Sequence, residues 1–436
     1  MEEEASSVKK AKLTSHWAVV EHDGVQMRVV APYLYEFSQK YRQRRKQRMT
    51  LQQFYEHEVG VGANATLDEE DLYYLQKSLE CGLVTVNGKI CSADYELKNG
   101  DIIHRKWHRH EASVASVPIE QMIVAETEDF LVCNKPSTIP VHAGGYFRLN
   151  SFKYIIESAR PELGELFPVH RLDRLTSGLL LLAKSSTGAR KISQYIQNQQ
   201  ALCMRKNYVA KVIGKFPASV EEGSALRGVV LRTEQASSSF KTNPHQNQVS
   251  STWFVVDIPI LDTKKQGEEA GEGKDGGGRE SLSRFRLIGY DPTTNTSLVK
   301  CEPVTGRTHQ LRIHLQSLGF PIGNDPEYGG TIGVVPPEVT EKDSDEFSSK
   351  CADALVTKVN TQEQTRESSS EDSLARSICP ECTKHKHAFK PIGHPGIWLH
   401  AYRVRFYDGD NLEHDFRVGL PKWAIDPYLT QGKMGI

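Results

Sequence analysis

An α+β fold is predicted for this chain of 436 residues, and two patterns predict it. Apolar residues recur at helical spacing in separate stretches, at Leu51, Phe54 and Tyr55, at Leu72, Leu75 and Leu79, at Ala189, Ile192, Tyr195 and Ile196, and at Leu311, Leu315 and Leu318. Between them lie short apolar runs bounded by turn residues, which read as strands. Two such runs, Met122 to Ala125 and Phe130 to Cys133, are joined across Glu126-Thr127-Glu128-Asp129 as a hairpin. The length allows two or three domains and a substantial core.

Taken in order, residues 1–49 read as a polar extension ending in Lys40-Tyr41-Arg42-Gln43-Arg44-Arg45-Lys46-Gln47-Arg48. Such a basic run can bind phosphate oxygens through counterion release, and a solvated helix face or a nuclear import signal explains it equally well. Residues 50–112 read as a compact module of two helices followed by Leu83 to Ile90, a strand with a turn at Asn87-Gly88 and the start of a return strand. Val86-Asn87-Gly88-Lys89, with Leu97-Lys98-Asn99-Gly100-Asp101 downstream, resembles the S4 RNA-binding fold. His104-Arg105-Lys106-Trp107-His108-Arg109-His110 interleaves rings and cations, which suits backbone charge plus base stacking. Its histidines are a weaker metal reading, because no Cys or carboxylate is spaced to complete a site.

A larger domain is expected over residues 119–430. After the first hairpin comes Asn134-Lys135-Pro136, where proline fixes the chain's exit and Lys135 is mainly structural with a possible phosphate contact. The densest stretch is His170-Arg171-Leu172-Asp173-Arg174-Leu175-Thr176-Ser177-Gly178, followed by the buried-strand run Leu179 to Ala183. An acid flanked by two guanidiniums favours its carboxylate form, suiting a nucleophile or charge stabiliser rather than a proton donor. Ser186 is expected to cap a helix reaching about Gln200, and Arg205 to Val212 to form a strand carrying Tyr208. A glycine-rich insertion at 264–284 separates the strands Trp253 to Ile260 and Phe285 to Tyr290 and should lengthen a hairpin loop. Strand Ser297 to Val304 then delivers Thr305-Gly306-Arg307-Thr308-His309-Gln310-Leu311-Arg312-Ile313-His314, a helix start that Gly319 ends. The charged, serine-rich insertion at 335–395 reads as mostly disordered before the chain re-enters the core at Trp398-Leu399-His400-Ala401.

His170 to Gly178, Asn134-Lys135-Pro136, Thr305 to His314 and Leu399-His400-Ala401 together resemble the RluA-type family of RNA pseudouridine synthases. The resemblance implies a mixed, largely antiparallel central sheet flanked by helices, with an RNA-binding cleft and a preceding S4-like module. It implies Asp173 as the catalytic acid, Tyr208 as the ring that stacks on the target base, and Arg312, with Arg307 as runner-up, as the salt-bridge partner of Asp173. Arg171, Lys135 and Arg307 become substrate contacts, with Arg171 filling the gap left by a flipped uridine. The S4-like module, Arg-Leu-Thr-Ser after the acid and the late Cys379-Pro380-Glu381-Cys382 are similar to the branch that modifies tRNA in the anticodon stem-loop. Leu175 departs from the acidic residue of many bacterial relatives, so their substrates do not carry over.

Composition narrows the alternatives. Lys and Arg total 54 against 55 Asp and Glu, a balance that leaves nucleic acid open because the cations cluster. No apolar run is long enough for a membrane span, and the acidic start Met1-Glu2-Glu3-Glu4 lacks the pattern of a targeting peptide. Eight scattered cysteines read as reduced thiols, hence cytosol or nucleus. Cys379 and Cys382 form half of a zinc pattern, but His385 and His387 are only two apart and no second Cys pair exists, so no metal ligand is assigned and zinc at Cys379, Cys382 and His385 stays open. Zinc deaminase chemistry is excluded by the absence of any His-x-Glu triplet. A monomer with an RNA substrate, tRNA above others, and no small-molecule cofactor is expected. The alternative is a non-catalytic RNA-binding or RNA-folding protein on the same scaffold.

Overall fold

The computed structural model describes residues 17–22, 24–43, 48–59, 69–197, 204–223, 232–235, 252–261, 278–331, 347–355, 370–379, 382, 396–407 and 413–425. The chain divides into two compact units. One comprises Met1–Ser116, Gly145–Asn150 and Thr340–Pro391, and the other Val117–Gly144, Ser151–Val339 and Ile392–Ile436.

In the first unit, the stretch read as a polar extension instead carries strands β1 (Trp17–His22), β2 (Val25–Val30) and β3 (Tyr33–Lys40). In β1 and β2, Ala18, Val20, Met27, Val29 and Val30 are buried, an apolar pattern that the charged tail of the segment obscured. Helices Leu51–Val59 and Glu69–Glu80 follow, then β4 (Val84–Val86), β5 (Ile102–Arg109) and β6 (Val114–Ala115). Two small sheets result, β1-β2-β6 and β3-β5-β4. The expected turn forms, with Asn87 at φ +52° and Gly88 at φ +75°, but the return strand shrinks to a single bridge, Val86 to Lys89, and β4 pairs β5. Tyr41, Leu51, Phe54, Leu75, Leu79, Leu97 and Ile103 close the core of this module.

One carboxylate ties the short segment 145–150 into this unit. Glu111, itself buried, accepts hydrogen bonds from the backbone N–H groups of Arg148, Leu149 and Asn150 and from the Tyr33 hydroxyl. Four charge-assisted bonds compensate its desolvation. The second insertion also belongs here. Among its described residues are two helices, 347–355 and Ser370–Ile378, and Phe347, Cys351 and Leu355 line a buried face at helical spacing. Helix formation there corrects the expectation of disorder, because that apolar stripe outweighs the surrounding charge. His385 and His387, like Arg44 to Gln47 in the basic run, lie outside the described residues.

The second unit is built on one eleven-stranded sheet. Its further strands are β7 (Ile123–Glu126), β8 (Phe130–Lys135), β9 (Phe167–Pro168), β10 (Ser177–Ala183), β11 (Met204–Ile213), β12 (Arg232–Gln235), β13 (Thr252–Asp257), β14 (Leu282–Asp291), β15 (Thr296–Pro303), β16 (Leu399–Tyr407) and β17 (Glu413–Arg417). The order is β12-β13-β14-β15-β11-β16-β10-β8-β7, with β17 on β16 and β9 on β10. Every pairing is antiparallel except β10 with β16, the mixed, largely antiparallel sheet that was expected. The first insertion does join a hairpin, since β13 pairs β14 through Phe254 and Phe285; its residues 264–277 lie outside the described set. Leu179 to Ala183 are fully buried on both sheet faces. Helix Ser186–Gln197 is capped one residue earlier than expected, by Ser185, whose hydroxyl accepts from the Gly188 N–H.

Candidate active site

The acid loop is held by groups that come from elsewhere in the sheet. Asp173 follows the buried His170, whose Nε2 accepts from the Leu181 N–H and so fastens the loop to its own strand. Burial pushes this imidazole down to about 3, with Lys206 adding to the effect, and it stays a neutral acceptor. On the other side, Gly178 lies at φ +114°, and a Cβ there would collide with the Ala401 backbone of β16. Glycine therefore permits the parallel contact between β10 and β16. The neighbouring Ser177 hydroxyl lies 2.9 Å from His400 Nδ1, while His400 Nε2 donates to the Gly419 carbonyl at 3.0 Å. Burial lowers His400 to about 4, which keeps that ring neutral too. Ser177 and Gly178 of the motif are thus scaffolding for the acid loop.

Asp173 itself is half-buried, and among the described residues its carboxylate makes no hydrogen bond. Its charge nevertheless acts on three neighbours. Tyr208, buried in β11, has its phenol raised first by burial and then by Asp173. Tyr328 is raised by burial, with Asp173 among the charges acting on it, and its hydroxyl lies 2.9 Å from His309 Nδ1 in the Thr305 to His314 segment. Burial lowers Lys135 to about 7 against the opposing pull of Asp173. The charge of Asp173 thus reaches Tyr208 and Tyr328, and Tyr328 in turn meets His309 of the Thr305 to His314 segment.

Two site assignments change. Arg312 does not meet Asp173. Its Nε and Nη2 donate to Asp325 at 2.6 and 2.8 Å, and Nη2 also reaches Glu327 at 2.6 Å. Asp325 is fully buried and Arg312 nearly so, and a buried carboxylate captures the nearest guanidinium because either charge alone would be costly. Arg307 Nε donates to the Glu280 carbonyl, and among the described residues no hydrogen bond or ion pair joins Arg307 to Asp173. Lys135 is not a phosphate ligand either. It is fully buried, and its ammonium donates to the carbonyls of Pro136, Ile139 and Arg174 at 2.9, 2.8 and 3.3 Å. The third of these braces the acid loop. Arg171, by contrast, is exposed and open to a substrate.

Most of the Thr305 to His314 segment is structural. The Gln310 amide accepts from the Arg307 N–H and the Thr305 hydroxyl and donates to the Leu282 carbonyl and the Ser283 hydroxyl. His314, wholly buried, lies 3.0 Å from Ser283 Oγ and donates to the Ile258 carbonyl. Both staple helix Gln310–Ser317 to β14.

A sequence profile described as RNA pseudouridylate synthase matches residues 129–317. The tRNA pseudouridine(31) synthase of Saccharomyces cerevisiae (strain ATCC 204508 / S288c) is 32% identical over 345 residues, covering 75% of this chain and 79% of the relative. RNA pseudouridine synthase 7 of Oryza sativa subsp. japonica is 31% identical over 379 residues, covering 83% of each chain. The chain belongs to the RluA-type RNA pseudouridine synthases. A second yeast relative, "tRNA pseudouridine(32) synthase, mitochondrial", is 29% identical over 385 residues, 84% of this chain and 72% of its own length.

Within this synthase, sequence reasoning missed Asp325, Glu327 and Tyr328, although an acid inside the turn-rich Gly323-Asn324-Asp325-Pro326 was a visible signal. It also missed a basic sheet face. Arg284 and Arg286 of β14 lie 4.9 and 5.0 Å from the Trp253 ring, and Lys300 of β15 lies 5.8 Å from it. Burial lowers Lys300 to about 8, with Arg286, Arg403 and Arg405 pushing the same way against Glu302. The period-two repeats Arg284-Phe285-Arg286 and Arg403-Val404-Arg405 were the signal for it.

Proposed function

We propose that this synthase isomerises uridine in tRNA, with Asp173 as the catalytic residue. The observation that carries the reading is a half-buried carboxylate with no hydrogen bond among the described residues, whose charge acts on Tyr208 and Tyr328, in a loop that His170 and Gly178 anchor to the sheet. An acid left uncommitted in so bonded a setting is available to substrate. Two relatives named for tRNA support that substrate.

Isomerisation breaks the bond between N1 and the ribose C1′ and forms one from C5 to C1′. The C5 proton leaves while N1 gains one, so the atoms balance without a cofactor. The target uridine must first leave its stack, and in this reading Arg171, which is exposed, fills the gap. Asp173 then promotes glycosidic cleavage, by attacking the sugar or by removing a sugar proton. Tyr208 holds the freed base. Because burial and the Asp173 charge both disfavour its phenolate, it acts as a neutral ring and hydroxyl rather than as a base.

The N-terminal unit supplies an RNA grip in this reading, in keeping with an S4-like role. Tyr35 of β3 stacks on Phe37 and Trp107 at 6.4 and 6.3 Å, and Arg109 and Arg148 stand 4.8 and 4.7 Å from its ring. Rings beside guanidiniums suit single-stranded bases and their phosphates. The protein acts as a monomer in the cytosol or nucleus, beside a relative named mitochondrial; among the described residues no helix is long and apolar enough to cross a membrane.

Tritium release from tRNA labelled at uracil C5 tests the proposal. Wild-type protein should release label and Asp173→Asn should not, while both bind tRNA. Binding without release by the wild type would leave the non-catalytic alternative standing.

A further inference from the structure

We propose that His108, His110, Cys379 and Cys382 form a zinc site in the N-terminal unit. The two histidines come from the end of β5 and the residue after it, and the cysteines from the end of helix Ser370–Ile378 and the turn beyond it. Neither pair is a site by itself. Folded, the four ligand atoms all lie within 4.8 Å of one another.

The separations fit a single metal. Cys382 Sγ is 3.0 Å from His108 Nδ1 and 3.3 Å from His110 Nε2, Cys379 Sγ is 3.5 Å from His110 Nε2, and the two ring nitrogens are 3.2 Å apart. Zinc bonds of about 2.3 Å to sulfur and about 2.0 Å to nitrogen, set tetrahedrally, require edges of roughly 3.3 Å between nitrogens and roughly 3.5 Å between nitrogen and sulfur. The cluster already has nearly those edges. His108 and Cys379 are buried, and the His108 and His110 rings meet edge to face at 5.0 Å. The Cys382 N–H donates to the Cys379 carbonyl at 3.2 Å, the turn that lets a Cys-x-x-Cys pair converge. Two thiolates and two imidazoles select zinc over magnesium or calcium, and four protein ligands leave no open position, which makes the site structural rather than catalytic.

The metal would pin helix Ser370–Ile378 to the end of β5. Lys106 of β5 also holds that helix, bonding Glu371 at 2.8 Å, but an ion pair so open to solvent contributes little. Closing a loop of 269 residues between His110 and Cys379 is work for a stronger link.

Full-length protein purified without chelator should carry about one zinc per chain by elemental analysis. Exchange with cobalt should give the intense visible bands of tetrahedral thiolate coordination. His108→Ala and the Cys379→Ser, Cys382→Ser double variant should each lose the metal, while Asp173→Asn and the His385→Ala, His387→Ala double variant keep it. Absence of stoichiometric zinc from wild-type protein overturns the site, as does a Cys379–Cys382 disulfide seen by mass. Loss of zinc from the His385→Ala, His387→Ala variant together with retention in His108→Ala overturns the assigned ligands. The wild-type metal content and cobalt spectrum need no variant to fold, and the Asp173→Asn control separates this result from the catalytic reading.

Discussion

The acid loop and the histidine–cysteine cluster are assembled in opposite ways. In the loop, the acid and the residues that shape its backbone fall within His170 to Gly178, and distant groups such as Lys135 and His400 only support it. In the cluster, the two histidines depend on two cysteines that lie about 270 residues further along the chain. Chemistry written contiguously announces itself. Chemistry split between two segments looks defective in each half until folding joins them.

The largest effect expected on the loop is from Asp173→Asn. It should lower the isomerisation rate by about 10^4-fold or more with tRNA affinity unchanged, checked by single-turnover kinetics beside filter binding. Retained activity would leave the loop without chemistry and erase the contrast. Gly178→Ala should come next. The added Cβ meets the Ala401 backbone at a φ foreign to alanine, so we expect a loss of about 4 kcal/mol in urea unfolding, or insoluble protein.

Arg312→Lys sharpens the comparison by asking what a distant guanidinium does. If it serves Asp325, as the structure has it, stability should fall by about 3 kcal/mol because a fully buried carboxylate loses its two-pronged partner. A variant of wild-type stability with a depressed turnover number would instead return Arg312 to Asp173. The smallest effect is a pH dependence. His400 is lowered to about 4 from an ordinary 6.5, so below pH 6.5 the unfolded chain takes up a proton that the folded ring refuses. Stability should therefore decline as pH falls from about 6.5 to 4, by at most roughly 3 kcal/mol from this residue. His400→Gln should reduce that slope in thermal melts across the same range, leaving the part that buried His170, lowered to about 3, contributes.

Much of this was legible in the sequence. The strand Leu179 to Ala183, the hairpin of β7 and β8 and the turn at Asn87-Gly88 followed from local patterns. The misreadings share a cause, which is that partnership between charges is decided by backbone path. Arg312 was matched to the acid that the motif suggested, whereas the chain turns back thirteen residues later and offers Asp325 first. Lys135 looked like a cation for phosphate because burial at a strand's end is not written in its neighbours. The helical spacing of Phe347, Cys351 and Leu355 could have been seen, but serine and acid around it hid it.

The bonds that Glu111 makes to residues 148–150 carry a practical consequence. The polypeptide passes between its two units at 116/117, 144/145, 150/151, 339/340 and 391/392. No single cut yields either unit whole: a fragment ending near residue 112 would keep the Glu111 side chain but forfeit the amides that neutralise it, along with both inserted helices. Domain-swap or truncation experiments on this enzyme must therefore move three pieces of chain at once.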